Sequence, residues 1–123
     1  MKKTIYNNAF TQFTDKEFDE RYALISHAIQ LGDTINAKKY RDILKENGID
    51  ASDLPSAELF NKDNKIKLVP ERNKFTFIDL FAGIGGFRIA MQKLGGQCVF
   101  SSEWDEPAKE TYFRNYGEVP FGD

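Results

Sequence analysis

The stretch Phe75-Thr76-Phe77-Ile78-Asp79-Leu80-Phe81-Ala82-Gly83-Ile84-Gly85-Gly86 restricts the fold more than any other part of the chain. Its first part is apolar, aromatic and branched, as suits a buried parallel strand. The glycines that follow permit a tight turn and a close backbone approach. Phe87, Ala90, Met91 and Leu94 then recur at helical spacing, which predicts one apolar helix face ending at Gly95-Gly96. Gln97 to Ser102 predicts a second strand. Asp105 is placed to cap a second helix that tolerates Pro107 in its first turn and closes at Tyr116-Gly117. Strand, glycine turn, helix, strand and helix form the opening of a doubly wound α/β fold.

The preceding half has a different pattern. Thr14 and Glu17 form a capping box, and Phe18, Tyr22, Ile25 and Ile29 follow at helical spacing, with Gly32 as the stop. A second helix is expected from near Ile35 to Asn47, burying Tyr40, Ile43 and Leu44 and ending at Gly48. Ser56 to Phe60 suits one helical turn, Asn61 to Lys65 a turn, and Ile66 to Val69 a short extended stretch before Pro70. The charged Glu71 to Lys74 marks the boundary. Residues 1–70 are thus expected to form a small helical extension with its linker, and 71–123 the beginning of an α/β domain.

Bulk properties exclude little. The 123 residues carry a net charge of -2, without the basic excess typical of a self-sufficient nucleic-acid binder. Cys98 is the only cysteine, so no internal disulfide can form. No apolar run near the N-terminus suits export or membrane spanning, which makes the cytoplasm the expected compartment.

The glycine turn follows the first strand, where open α/β sheets bind their ligands. Glu103 is the first acidic residue after the second strand, about twenty residues past the turn, a position that suits ribose hydroxyls. Dinucleotide binding favours G-x-G-x-x-G, whereas here Gly83-Ile84-Gly85-Gly86 runs into bulky Phe87. A phosphate-binding loop needs Gly-Lys-Ser/Thr, and Phe87-Arg88 stands in its place. An adenosine cofactor without phosphates fits better.

Asp79 to Gly86 closely resembles the first motif of the C5-cytosine DNA methyltransferases, Glu103-Trp104 the second, and Gly122-Asp123 the start of the third. The resemblance covers about the last two fifths of the chain and not the helical extension. It implies a Rossmann-like methyltransferase domain that binds S-adenosyl-L-methionine. Phe81 would pack on the adenine, and the backbone of Ala82, Gly83, Ile84, Gly85 and Gly86 would wrap the methionine moiety. Glu103 would hold the ribose hydroxyls, Trp104 the adenine-ribose face, and Asp123 the adenine amino group. A carboxylate accepts hydroxyls and amines, and aromatic planes stack on adenine. Asp79 is expected to orient the glycine turn or approach the amino-acid end of the cofactor.

In this family a cysteine after a proline attacks C6 of a flipped-out cytosine in double-stranded DNA, and C5 then takes the methyl group. By resemblance that motif and the target-recognition region would follow Asp123, together with the remainder of the domain, so no catalytic residue is expected here. Cys98, on a strand, is expected to be a core thiol. His27 has no second ligand candidate nearby and is expected to pack or be exposed rather than bind metal. Lys38, Arg41 and Lys45 share a helix face, but the interleaved Asp42 and Glu46 favour a solvated face over a phosphate-contacting stripe. The function implied is that of a DNA (cytosine-5-)-methyltransferase in bacterial restriction-modification, inactive as this piece alone. The alternative is a non-catalytic subunit of a split enzyme or a DNA-binding regulatory module.

Overall fold

The computed structural model describes residues 15–32, 34–66 and 74–122. Helix α1 spans Asp15–Leu31, and a 3-10 turn, Ile35–Ala37, leads into α2, Lys38–Glu46. The one-turn helix α3 is Ala57–Phe60, with the Ser56 side chain accepting from the Leu59 amide. Then come β1 (Phe75–Leu80), α4 (Gly86–Lys93), β2 (Gly96–Ser102) and α5 (Glu106–Tyr116). The expected capping box at Thr14 and the stretch 67–69 lie outside the described residues, as do the side chains of Glu17 and Phe18.

The two strands are parallel, with Phe75 opposite Gly96 and Leu80 opposite Ser102. Phe121 adds a parallel bridge to Ser102 on the other edge of β2. This is an α/β architecture with a two-stranded parallel sheet, flanking helices and a helical N-terminal segment, the start of a Rossmann-like fold.

Asp105 accepts from the Ala108 amide at 3.0 Å to cap α5, and Gly117 closes it at φ 72°. Cys98 is buried in β2. Two expectations fail. β1 is not buried on both faces, because Ile78 and Leu80 are each 52 % exposed while Asp79 is buried. The apolar run sets which residues suit burial, but among the described residues only the face carrying Asp79 is covered. Likewise Phe87 and Ala90 of α4 and Leu94 just after it are exposed, Met91 is only half-buried, and Arg88 is buried. In α2 only Leu44 is fully buried, with Tyr40 and Ile43 at half depth.

The helical segment packs directly on the α/β segment. Tyr22, Ile25, Ala28, Ile29, Leu44 and Phe60 form its core, and Phe113 of α5 and Val119 pack against it. Each such large apolar side chain contributes roughly 1.5–3 kcal/mol on full burial. Polar contacts fix the docking. Tyr40 Oη donates to Val99 O at 2.6 Å, the Val119 amide donates to Ser26 Oγ at 2.9 Å, and Gln30 Nε2 donates to Gly117 O at 3.0 Å.

His27 is the innermost of these contacts. Its Nε2 accepts from the Ser101 amide at 3.0 Å, and Nδ1 sits 2.8 Å from Ala23 O. The proton therefore rides on Nδ1, donated to Ala23 O, and the ring is neutral. The 3.4 Å approach of Glu118 Oε2 to Nε2 is consequently not an ion pair. Burial lowers the imidazole pKa, with Glu118 opposing and Arg88 reinforcing the shift.

An unfolded histidine takes up its proton below about pH 6.5, whereas buried His27 does so only at lower pH. Its contribution is complete above that pH and is lost as the pH falls below it. A slope of up to about 1.4 kcal/mol per pH unit is expected between pH 6.5 and 5. Urea unfolding of the wild type should show it, and a His27→Gln chain should be flat over that window. His27 is the only histidine, so the part of the slope lost in that variant is the imidazole's.

Candidate functional site

β1 and β2 end side by side, and the glycine turn is tied to both. The Ala82 amide donates to Ser102 O at 2.9 Å, and Gly85 N donates to Ala82 O at 3.0 Å. Phe81 sits at φ 56°, a left-handed conformation uncommon for a non-glycine residue and worth about 1–3 kcal/mol of strain. Its ring is 86 % exposed. Strain held in place beside a glycine turn, with an aromatic ring left in solvent, points to a surface shaped for something other than core packing.

Gly85 and Gly86 differ in what they require. Gly85 has φ 99°, and a Cβ there would overlap the Tyr116 ring, so the fold alone demands glycine. Gly86 has no positive φ, and a Cβ would meet nothing within 4 Å. Among the described residues nothing requires a glycine there.

Glu103 closes the other side. Its Oε1 accepts from the Gly83 amide at 2.7 Å, and Oε2 accepts from the amides of Trp104 at 2.9 Å and Asp105 at 3.0 Å. The Asp105 amide, then those of Gly83 and Trp104, hold its carboxyl below the usual range against a burial effect that raises it. Glu103 is therefore ionised at neutral pH. Three of about four acceptor positions on the carboxylate are taken, leaving one on Oε1 facing the turn. Trp104 beside it is 72 % exposed. Ser102 Oγ donates to Gly122 O at 3.1 Å, so Gly122 also reaches this end of the sheet. Asp123 lies outside the described residues.

Asp79 is buried on β1, where its Oδ2 accepts from Tyr112 Oη at 2.9 Å, and burial raises its carboxyl pKa. It belongs to a buried polar network that the sequence did not announce. Arg88 Nη1 donates to Tyr112 Oη at 3.0 Å and to Glu118 Oε2 at 2.7 Å, and Ser101 Oγ donates to the same Glu118 oxygen at 2.7 Å. Burial pushes the Glu118 carboxyl upward, but Arg88 above all holds it below the usual range. The guanidinium lies 4.9 Å from the Tyr116 ring centre. The signal that could have located this network is Tyr112 and Tyr116, four residues apart and so on one face of α5.

Two of the three basic residues of the α2 stripe have partners within the chain. Lys38 pairs with Asp42 at 2.7 Å, and Arg41 donates to Gly32 O at the end of α1. Among the described residues no helix is long and apolar enough to cross a membrane.

A family model described as C-5 cytosine-specific DNA methylase matches residues 75–123. The chain is 55 % identical over 85 residues to the type II methyltransferase M.HpaII of Haemophilus parainfluenzae, covering 68 % of this chain and 22 % of that protein. Since 85 aligned residues exceed the 49 of 75–123, that similarity reaches into the helical segment. Over 47 residues it is 60 % identical to M.HhaI of Haemophilus parahaemolyticus, covering 38 % and 14 %. It is also 60 % identical over 42 residues to the DNA-cytosine methyltransferase of Escherichia coli K12, covering 34 % and 9 %. The chain thus spans less than a quarter of the length of each of these relatives. Residues 75–123, which carry the glycine turn, Glu103-Trp104 and the Phe121 bridge, thus match the C-5 cytosine-specific DNA methylase family.

Proposed function

We propose that residues 75–123 bind S-adenosyl-L-methionine as the opening part of a DNA (cytosine-5-)-methyltransferase of bacterial restriction-modification. The observation that carries this reading is the ionised Glu103 carboxylate bonded into the glycine turn at Gly83, beside an exposed Trp104 and a Gly86 with open space above it. The donor set fits an uncharged-phosphate-free adenosyl group. The open acceptor position on Oε1 takes one ribose hydroxyl. Phe81 and Trp104 offer aromatic planes to the adenine and ribose, Asp123 accepts from the adenine amino group, and the backbone from Ala82 to Gly86 receives the methionine end. When bound, the cofactor supplies an electrophilic methyl group.

Methyl transfer to C5 of a flipped-out cytosine in double-stranded DNA belongs, on this proposal, to the complete enzyme. The attacking thiolate is not among these 123 residues. Cys98 is the only cysteine and is buried, and burial pushes its thiol up to about 12, far from the thiolate form. The exposed Ile78 and Leu80 on β1 form the surface against which the remainder of such a domain packs.

Two outcomes are expected of the 123-residue chain. Radioactive methyl groups from S-adenosylmethionine should not enter DNA. S-adenosylhomocysteine should quench the fluorescence of Trp104, the single tryptophan, in a saturable titration, while NAD should not. A Gly86→Ala chain should keep its thermal midpoint and bind S-adenosylhomocysteine at least 10-fold more weakly, roughly the effect of one 1.4 kcal/mol clash. No saturable quenching by S-adenosylhomocysteine in a folded wild-type chain would overturn the cofactor assignment.

A further inference from the structure

Helix α5 meets the glycine turn from beneath with two adjacent side chains. Tyr116, fully buried, donates its hydroxyl to Gly85 O, and its ring occupies the space a Cβ of Gly85 would fill. Asn115 Nδ2 donates to Ile84 O at 3.1 Å. Two consecutive turn carbonyls are thereby drawn toward α5. The Gly83 amide is drawn to Glu103 instead, at 2.7 Å. The turn is therefore held at three successive residues by side chains from outside it.

The Gly85 carbonyl does not depend on its α5 contact. Gly85 O also accepts from the Ile89 amide at 3.1 Å within α4, so the carbonyl keeps a partner without the Tyr116 hydroxyl. Asn115 is only half-buried. The Tyr116 ring is itself fixed, with Tyr112 at 4.9 Å between ring centres and the Arg88 guanidinium at 4.9 Å above it. Bonds made to the backbone of a turn by a rigidly packed ring set the shape of that turn.

We infer that Tyr116 and Asn115 are positioning residues for the amino-acid end of the bound adenosyl compound, acting through the carbonyls of Gly85 and Ile84. The inference rests on the cofactor site proposed above. It predicts a selective effect, because the adenosine end is gripped by Glu103 and Trp104, and Glu103 bonds the turn at Gly83 rather than at Ile84 or Gly85. Loosening the turn weakens whatever touches its backbone and spares the nucleoside.

The test compares S-adenosylhomocysteine with adenosine by Trp104 fluorescence, on the 123-residue chain. Tyr116→Phe keeps the ring and removes the hydroxyl; it should weaken S-adenosylhomocysteine about 5- to 10-fold, leave adenosine within 2-fold, and hold the thermal midpoint, as expected for one lost neutral hydrogen bond. Asn115→Ala, at a half-buried position, provides the same comparison should the phenylalanine variant fold poorly. Unchanged S-adenosylhomocysteine binding, or equal weakening of both compounds, overturns the positioning role. Failure of the wild-type chain to bind S-adenosylhomocysteine at all is a different result and removes the cofactor reading itself.

Discussion

Replacing Arg88 with methionine is expected to cost about 3–5 kcal/mol and to lower the midpoint of urea unfolding sharply at neutral pH. The reason lies in what remains. Glu118 is fully buried, and its Oε2 is 2.7 Å from Arg88 Nη1, the one cation among its hydrogen-bond partners. Ser101 Oγ is its other hydrogen-bond donor, and Oε1 accepts no bond among the described residues. Without the guanidinium a carboxylate is stranded out of water, and a domain has only about 5–15 kcal/mol of net stability to lose. The same burial predicts the remedy. Adding Glu118→Gln to Arg88→Met removes the stranded charge and should recover more than half of the loss. If the single variant unfolds with the wild-type midpoint, the network is not what ties α4 to the sheet. If the double variant is no better than the single, the loss comes from Arg88 packing on Tyr112 and Tyr116 and not from the uncompensated charge.

Glu103→Gln is expected to reduce S-adenosylhomocysteine affinity about 100-fold or more, measured by Trp104 fluorescence. Two losses combine. The amide carries no charge, and a hydrogen bond to a charged group is worth about 1.5–3 kcal/mol. Its NH2 also faces backbone donors, because the two carboxylate oxygens receive three amides from Gly83, Trp104 and Asp105. One of these amides would meet a donor instead of an acceptor, and the turn and the start of α5 would lose their common anchor. A drop of several degrees in thermal midpoint should accompany the loss of binding. Glu103→Asp is the informative companion. It keeps the charge but shortens the reach to Gly83 N, so it should hold its midpoint better than glutamine does and still bind weakly. Wild-type affinity in the glutamine variant would remove Glu103 from the site.

Much of this was open to inspection in the sequence, and for a clear reason. The strand, glycine turn, helix and second strand follow from local chemistry: branched and aromatic residues, φ freedom at glycines, an aspartate cap, a glycine stop. Gly83, Gly85 and Gly117 occupy the positive-φ positions that such punctuation implies. Glu103 was locatable because a fixed distance separates it from the turn.

What hydrophobic periodicity could not register is polar burial. His27, Ser26, Asp79, Arg88 and Glu118 are each 2 % exposed or less, yet each has a side chain that a pattern of apolar spacing assigns to the surface. They are inside because they bond to one another or to backbone across elements 30 to 93 residues apart. No local rule reads such distances. The same limit explains α4, where apolar spacing selected Phe87 and Leu94 for the interior and the tertiary structure selected Arg88. The sequence by itself determined the order of elements and the residues at the mouth of the turn, since both depend on backbone geometry a few residues long. Only the tertiary structure decided which face of each element is covered, and that His27 seals the helical segment to β2. Those outcomes depend on partners brought together by the whole chain, where a hydrogen bond met in the interior outweighs the cost of leaving water.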